Sequence, residues 1–320
     1  MRIRPVVSRT FGKWRKKPES KRSGHVQIEL IETYLDLMET RSFNRTAERM
    51  NLRQSTVSHR VKALEAALGR SLFTRNKGGT APTPAGLRFL DHARALQRQW
   101  HEAARTVESA GAYEHAMRIG VQQDVAEEFA GPWLKAIRAD LPGTSIYIEA
   151  DYSNQMNRDL ASGDLDLAIL YTPHFLPDLH YERIGEMTYV LVSTLSPSVD
   201  DLNRDNYISA SYSPAFDRMH RLALPQLATT ALSSGQNVTI SGMLKSLGGG
   251  AFVTKATADE FHRAGIAYIL EEVAPIPQTV YAATGVRTRH AHQHRRVIAA
   301  MKALLGAGTP EPREPGLSEI

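Results

Sequence analysis

The sequence predicts an α+β multidomain protein with a small N-terminal helical unit, one long helix and a C-terminal pair of α/β lobes. Three observations support this prediction. Apolar residues follow helical spacing near the start, a near-heptad stripe comes next, and the remainder alternates short apolar strands with helical segments. At 320 residues the chain is long enough for two or three compact units.

The composition excludes several classes of protein. Hydrophobic residues make up 42% and charged residues 23%, as in ordinary soluble globular proteins. No apolar run approaches the ~20 residues of a membrane span, and the basic start lacks the apolar stretch of a signal peptide. Cys is absent, which excludes disulfides and thiolate metal sites and fits a reducing compartment. We therefore expect a cytoplasmic protein.

Positive charge is concentrated at the start of the chain. Residues 1–25 hold nine Lys and Arg against one acidic residue, residues 26–90 hold ten against six, and residues 91–320 hold twenty against twenty-seven. Such a basic front is typical of a protein whose first part meets a polyanion. We interpret residues 1–25 as a disordered basic extension, either a nucleic-acid-binding arm or, as we favour, an artefact of the assigned start codon.

Residues 26–84 are predicted to form a helical unit closed by a hairpin. The first helix begins near Val26, a short second one runs from about Asn44 to Met50, and a third from about Gln54 to Leu68. The third helix is predicted to bury a row of apolar side chains, which are Val57, Val61, Leu64 and Leu68. Gly69 then ends the helix, because glycine permits the left-handed conformation.

The opposite face of the third helix is polar. Its hydroxyl, amide, imidazole and cationic side chains can reach base edges or phosphate oxygens. With the residue before the helix and two cations of the following hairpin, the predicted DNA-contacting set is Arg53, Gln54, Ser55, Thr56, Ser58, His59, Arg60, Lys62, Arg75 and Lys77. This arrangement is typical of a helix-turn-helix that enters the major groove. The alternative is a solvated helix face in a small bundle.

A cationic hairpin is predicted after the third helix. The apolar pair Leu72-Phe73 leads into cations and a Gly78-Gly79 turn, and Thr83 and Pro84 are predicted to cap and begin the next helix. A hairpin in this place is a wing, positioned to touch phosphate or the minor groove.

These residues resemble the LysR-type transcriptional regulators. The resemblance runs from about Gln27 to Leu305, and its specific part is Ala47-Glu48-Arg49-Met50, Gln54-Ser55-Thr56-Val57-Ser58, Leu64-Glu65, Leu68-Gly69, Leu72-Phe73, Arg75 and Thr83-Pro84-Ala85-Gly86. Thr46 stands where the family usually has Ala, Arg53 where it has Ser or Thr, and Pro82 where it has Leu. Arg53 puts the side-chain cap of the third helix in question, and Pro82 implies an altered wing strand.

Residues 85–112 are predicted to form one long helix. Its stripe, spaced near three and a half residues, consists of Leu87, Leu90, Ala93 or Arg94, Gln97, Trp100, Ala104 and Val107. Such a stripe is typical of a seam between two helices, and the family resemblance implies a dimerisation linker. Packing of the helix on its own domain is the alternative, since Arg94 and Gln97 interrupt the stripe.

Residues 113–305 alternate strands with helices, which predicts a parallel-type sheet covered by helices. We predict two α/β lobes joined by two crossovers, similar to periplasmic solute-binding proteins. Lobe I covers about 113–195 and 285–305, and lobe II about 196–284. The family resemblance implies an effector-binding domain here. Residues 306–320, rich in Pro, Gly and Glu, are predicted to be a disordered tail.

A ligand is expected between the lobes, because ligands of open α/β sheets lie beyond the carboxyl ends of the strands. Polar loop residues and a glycine segment meet that criterion, and the predicted lining is Gln122, Gln123, Asp124, Tyr171, Thr172, Ser211, Tyr212, Gly250 and Phe252. Each of them could equally be an ordinary cap or turn residue.

Asp124 stands at a helix start where family members often offer Ser or Thr. Free amides and the helix dipole welcome a carboxylate ligand at such a position. A resident carboxylate would satisfy those amides and repel an anion. We therefore expect an effector that is neutral or cationic, or one that is anchored elsewhere.

No catalytic constellation, metal site or cofactor is predicted. His290, His292 and His294 lack a fitting carboxylate, and the glycine run at 248–250 lacks the Lys-Ser/Thr ending of a phosphate loop. We expect a non-enzymatic regulator. Its expected partners are double-stranded DNA, a small-molecule effector, a second copy of the chain in a homodimer or homotetramer, and RNA polymerase, but no membrane. The alternatives are a solute-binding protein with a dimerising helical bundle and an enzyme that uses the interlobe cleft.

Overall fold

The computed structural model describes residues 26–76, 79–108, 113–227 and 229–307. They form two compact units that divide between Ala93 and Arg94. The predicted extension 1–25, Lys77 and residues 308–320 of the predicted tail lie outside the described residues. Within the described ranges, none of the helices has both the length and the apolar character that a bilayer crossing requires.

The first unit is a helical bundle with a hairpin. Its elements are α1 (Ile28–Thr40), α2 (Phe43–Arg49), α3 (Gln54–Leu68), β1 (Phe73–Asn76), β2 (Gly79–Pro82) and the beginning of α4 (Pro84–Glu108). The buried Tyr34 hydroxyl of α1 donates to the Gly86 carbonyl at 2.6 Å, which fixes the start of α4. Thr83 caps α4 as predicted, because its Oγ1 accepts from the Gly86 amide at 3.0 Å.

One detail of this unit differs from the expectation. Leu68, predicted to be buried, is 41% exposed, and Leu72 fills the core instead. The reason is that Gly69 turns the chain in the left-handed conformation, with φ of 67°, directly after α3. Thr46 is fully buried where the family usually has Ala, and its Oγ1 lies 2.6 Å from the Thr40 Oγ1.

The stripe predicted along α4 is divided between two environments. Leu90 and Ala93 pack in the core of the first unit, so they are not available for a seam. Trp100 and Val107 are exposed, and Leu96 is exposed on the same face of the helix.

The second unit begins within α4 and contains two α/β lobes. The first elements are β3 (His115–Val121), α5 (Gln123–Asp140), β4 (Thr144–Ala150), α6 (Ser153–Ser162), β5 (Leu167–Leu170) and β6 (Leu179–Ser193). Then follow β7 (Ile208–Ala210), α7 (Pro214–Ala223), β8 (Leu232–Ser234), α8 (Asn237–Leu247), β9 (Gly250–Thr254), α9 (Lys255–Arg263), β10 (Tyr268–Ile269), β11 (Ile276–Gly285) and α10 (His292–Ala307). Short 3-10 helices occur at Val199–Asp201 and Pro225–Leu227.

The main sheet has the order β10-β6-β11-β5-β3-β4, and β9 also pairs with β6. β3 is parallel to β4 and β5, whereas β11 is antiparallel to β5 and β6, and β6 is antiparallel to β9 and β10. The predicted parallel-type sheet is therefore only partly right. β6 and β11 are the two crossover strands, and they pair antiparallel because the chain enters one lobe along β6 and returns along β11.

We call β3, β4, β5, α5, α6 and α10 lobe I, and β7 to β10 with α7 to α9 lobe II; β6 and β11 contribute to both. The last helix returns to lobe I, because the Trp133 Nε1 of α5 donates to the Val297 carbonyl of α10 at 2.9 Å. This helix continues to Ala307, so residues 306–307, predicted to belong to the tail, are helical.

Candidate functional site

Two short helices and a tight turn position the candidate nucleic-acid surface. Ser42 caps α2, because its Oγ accepts from the Arg45 amide at 3.4 Å. The connection passes through Asn51, which has a φ of 52°. α3 then begins at Gln54, after Arg53, whose side chain makes no capping hydrogen bond.

The third helix separates an apolar face from a polar one. Val57, Val61 and Leu64 are buried. Among the residues predicted to contact DNA, those that are exposed are Arg53, Gln54, Ser55, His59 and Lys62, and those that are half-buried are Thr56, Ser58 and Arg60. The exposed set projects donors and acceptors of the type that read base edges and phosphates.

Arg60 is directed back toward α1. Its Nη1 donates to the Thr33 Oγ1 at 3.3 Å, and the Thr33 hydroxyl donates to the Glu29 carbonyl at 2.6 Å. Arg60 therefore braces α3 against α1, while Lys62 is an exposed cation on the same helix.

Glu65 ties the wing to α3. Its Oε1 accepts from the Leu72 and Phe73 amides at 2.7 and 3.2 Å, which orients the β1–β2 hairpin at the end of the helix. Two wing cations are predicted to contact DNA. The side chain of Arg75 and the whole of Lys77 lie outside what the structure describes.

In the second unit, residues beyond the carboxyl ends of β3 and β5 meet at the start of α6. The Ser153 hydroxyl donates to the Gln122 Oε1 at 3.1 Å. The Ser153 Oγ in turn accepts from the Tyr171 and Thr172 amides at 3.1 and 3.2 Å. Three predicted lining residues therefore converge on Ser153. We did not predict Ser153, because a Ser at a helix start is usually an ordinary cap.

Asp124 lies at the start of α5 and contacts lobe II. Its Oδ1 accepts from the Asn237 backbone amide, at the first residue of α8, at 3.1 Å, and its Oδ2 accepts from the Tyr189 hydroxyl at 2.5 Å. The residue is 2% exposed. Burial raises the pKa of this carboxyl to about 6, although both hydrogen bonds lower it. We had expected this carboxylate to satisfy the free amides of its own helix, but it accepts from an amide at the start of α8 instead.

Asn237 completes this junction between the lobes. Its Nδ2 donates to the Glu127 Oε2 at 3.1 Å and to the Thr257 Oγ1 at 2.8 Å, and its Oδ1 accepts from the Thr254 amide at 3.0 Å. Asp124 and Glu127, one turn apart on α5, thus both bind the residue that begins α8.

Three buried tyrosines surround the Asp124 carboxylate. The Tyr189 hydroxyl lies 3.0 Å from that of Tyr171, and its ring stacks on Tyr212 with 4.0 Å between centroids. The Tyr212 hydroxyl donates to the Phe252 carbonyl at 2.8 Å. Burial raises the pKa of all three phenols well above the ordinary value, so they remain neutral donors. We did not predict Tyr189, because an aromatic residue within a strand usually belongs to the core.

The other predicted lining residues of lobe II have roles in its fold. The exposed Ser211 donates to the Asp217 Oδ2 at 3.0 Å. Gly250 pairs with Ser193 in the sheet, and the Phe252 side chain is fully buried. Their contacts are those of a turn, a strand and a core. In lobe I, Gln123 is half-buried as the first residue of α5.

The three histidines near the chain end do not gather. His290 and His292 are exposed and His294 is buried. Across the described ranges, no group of three or more His, Asp or Glu side chains is arranged to hold a metal ion.

Two family models match the chain. The model described as a bacterial regulatory helix-turn-helix protein of the lysR family matches residues 28–87, and the model described as the LysR substrate binding domain matches residues 110–306. The HTH-type transcriptional regulator HdfR of Yersinia pestis (strain Pestoides F) is 27% identical over 268 residues, which are 80% of this chain and 90% of that protein.

Two solved regulator structures share the fold. A full-length OxyR variant from Pseudomonas aeruginosa has a TM-score of 0.55 and 21% identity, covering 87% of this chain and 95% of that chain. DarR of Vibrio fischeri, in complex with DNA, has a TM-score of 0.52 and 18% identity, covering 88% and 99%. The two family models span most of this chain, and with the helix-turn-helix, the wing and the two lobes they establish that it belongs to the LysR family of bacterial transcriptional regulators.

Proposed function

We propose that this LysR-family regulator binds duplex DNA through the exposed face of α3 and through the wing. The observation that supports this most directly is the exposed set on the first turns of α3, which includes Gln54, Ser55, His59 and Lys62. Arg53, Thr56, Ser58 and Arg75 are proposed to contribute phosphate or base contacts. Arg60 has a bracing role in addition, because it bonds to Thr33.

The space between the lobes is the proposed effector site. Asp124 and Glu127 already bind the beginning of α8, where an anionic ligand would otherwise be stabilised. The effector is therefore a neutral or cationic small molecule that exchanges hydrogen bonds with the carboxylate and with the phenols of Tyr171, Tyr189 and Tyr212. Its binding changes how the lobes meet, and hence the affinity for the promoter; such coupling is typically ~1 to 3 kcal/mol.

A homodimer is the proposed functional form, with α4 as its seam. Leu96, Trp100 and Val107 expose apolar surface on one face of that helix. Two dimers pairing into a tetramer, and contact with RNA polymerase at a promoter, extend the same proposal. A cytoplasmic, non-enzymatic role follows from regulation of transcription.

An unbiased selection of duplexes by the purified full-length chain tests the proposal. One duplex family should be enriched over competitor DNA. Its affinity should fall with salt on a log-log plot with a slope that steepens by ~0.9 for each phosphate neutralised. Absence of any preferred duplex would refute DNA recognition. Turnover of a small molecule that is lost on changing cleft residues, without DNA binding at any salt concentration, would support the enzyme alternative.

A further inference from the structure

A cavity lies between α10 and the paired strands β6 and β11, and none of the predicted effector-binding residues lines it. It has a volume of about 300 Å³. The register of the two strands places Thr284 directly opposite His180 and Ala282 opposite Glu182, so these residues form its floor. α10 supplies the opposite wall, and the turn before α10 closes one end.

Thr284 is the deepest polar group of this cavity. It is 1% exposed, and its Oγ1 has no hydrogen-bond partner among the residues that the structure describes. A buried hydroxyl without a partner is costly, and most such groups in proteins are satisfied. Because Thr284 lines the cavity, an occupant of the cavity is placed to supply that partner.

The rim of the cavity is cationic. Arg289 from the turn and Arg295 and Lys302 from α10 line it, against the single carboxylate of Glu182, which pairs with Lys302 at 3.2 Å. Neither arginine forms an ion pair with a carboxylate in the described ranges, and the Arg289 Nε donates to the His290 Nε2 at 3.0 Å. The lining thus has an excess of two positive charges even with neutral imidazoles.

We propose that this cavity binds a compact dianion of the phosphate-monoester class. Its donors come from three directions, namely the strand floor, the α10 wall and the turn, which suits the three terminal oxygens of a phosphate ester better than the two oxygens of a planar carboxylate. Guanidinium groups are well matched to phosphate geometry. The depth of the Thr284 hydroxyl favours a small molecule over the backbone of a duplex.

Titration calorimetry of the full-length chain, with inorganic phosphate and with glycerol 3-phosphate, tests the site. Arg295→Gln should weaken binding of both by about tenfold or more. The matched control is Arg296→Gln, because Arg296 is the next residue on the same helix but its Nε donates to Asp140 at 2.6 Å. This control removes the same charge and should leave the affinity within about twofold. Thr284→Val should weaken binding several-fold and leave the circular dichroism spectrum unchanged.

Three outcomes would overturn the proposal. Equal losses in Arg295→Gln and Arg296→Gln would mean that phosphate only screens the charge of the helix. Failure of the wild-type chain to bind either phosphate compound at millimolar concentration would refute the site. Tighter binding of malonate than of glycerol 3-phosphate would contradict the assignment to phosphate esters. Arg295 is exposed, so its variant is expected to fold whatever the outcome for Thr284→Val.

Discussion

The Asp124 carboxylate on α5 accepts a hydrogen bond from the Asn237 backbone amide, at the first residue of α8, at 3.1 Å. The two helices belong to different lobes. The buried Asp124 carboxylate therefore connects the lobes at the start of α8, where the helix dipole favours an anion. Protonation of this one side chain therefore alters one hydrogen bond of the junction, while the bond from Asn237 to Glu127 remains.

Asp124→Asn is expected to change how stability depends on pH. The folded-state pKa is raised from 3.8 to about 6, so the folded protein binds this proton more tightly than the unfolded chain. The resulting stability is fully present below pH 3.8 and is lost as the pH rises through about 6, which amounts to about 3 kcal/mol. Urea unfolding across this window should show that loss in the wild type and not in Asp124→Asn.

The exposed Asp200→Asn is the matched control for this measurement and should follow the wild type. Parallel pH profiles for wild type and Asp124→Asn would contradict the assignment of the shift to this residue.

Asp124→Ser is expected to reverse the ligand preference of the cleft. The substitution removes the charge and leaves the Asn237 amide at the start of α8 available to an anion. Small carboxylates such as benzoate should bind the variant at least about tenfold more tightly than the wild type. Calorimetry with both proteins decides this. Micromolar binding of simple carboxylates by the wild type would show that the resident charge does not exclude them.

Lys62→Ala is expected to weaken binding to all duplexes about equally. Loss of one phosphate contact should reduce the slope of log affinity against log salt by ~0.9. Fluorescence anisotropy at several salt concentrations measures it. Lys135→Ala, which removes an exposed lysine from α5 in the other unit, serves as the control. Identical slopes for the two variants would remove Lys62 from the interface.

The double substitution Leu96→Glu and Trp100→Glu is expected to shift the protein from dimer to monomer. These side chains are 48% and 55% exposed on one face of α4, and burying charge in an apolar seam is unfavourable. Sedimentation velocity measures the change. Leu247→Glu, at a 67% exposed position of α8, should leave the assembly unaltered. A dimer that persists in the double variant would exclude this face as the seam.

Gly249→Ala is expected to destabilise the protein by more than ~2 kcal/mol. Gly249 has a φ of 103°, and an added Cβ would lie 2.0 Å from the Asn206 carbonyl oxygen. Gly242→Ala, inside α8 where a Cβ meets nothing within 4 Å, should instead stabilise it by ~0.5 to 1 kcal/mol. Urea denaturation of both variants compares them. A neutral Gly249→Ala would mean that the segment relaxes without cost.

The elements that are determined by residues close together in the sequence could be predicted well. α3 spans Gln54 to Leu68 as expected, because an apolar period of helical spacing and the terminal Gly69 are local signals. The antiparallel pairing of β6 with β11 could not be predicted, since nothing local in either strand specifies its partner. The polar first half of β6, from Leu179, also lacks the apolar run that identifies its second half.

The candidate cleft was predicted only in part for the same reason. Sequence position relative to strand ends indicated Asp124 and Tyr171, whereas the partners that define their chemistry are distant in the chain. Asn237 is 113 residues from Asp124, and Tyr189 lies within a strand. Arg60 shows that sequence context alone can also miss a structural role. Its position on α3 predicts a DNA contact, whereas its guanidinium donates to Thr33.

Because β11 lies between β5 and β6, the first lobe cannot complete its ladder until residues 276–285 have left the ribosome. The elements of lobe II lie between β6 and β11 in the chain. Lobe II therefore leaves the ribosome in full before lobe I is complete. In a nascent chain that stops before Ile276, the Trp133 Nε1 would lack its acceptor, the Val297 carbonyl. Strand β5 would also lack its partner β11. Interrupted translation should therefore yield a chain whose first unit has its own core, but whose lobe I is incomplete and open to proteolysis.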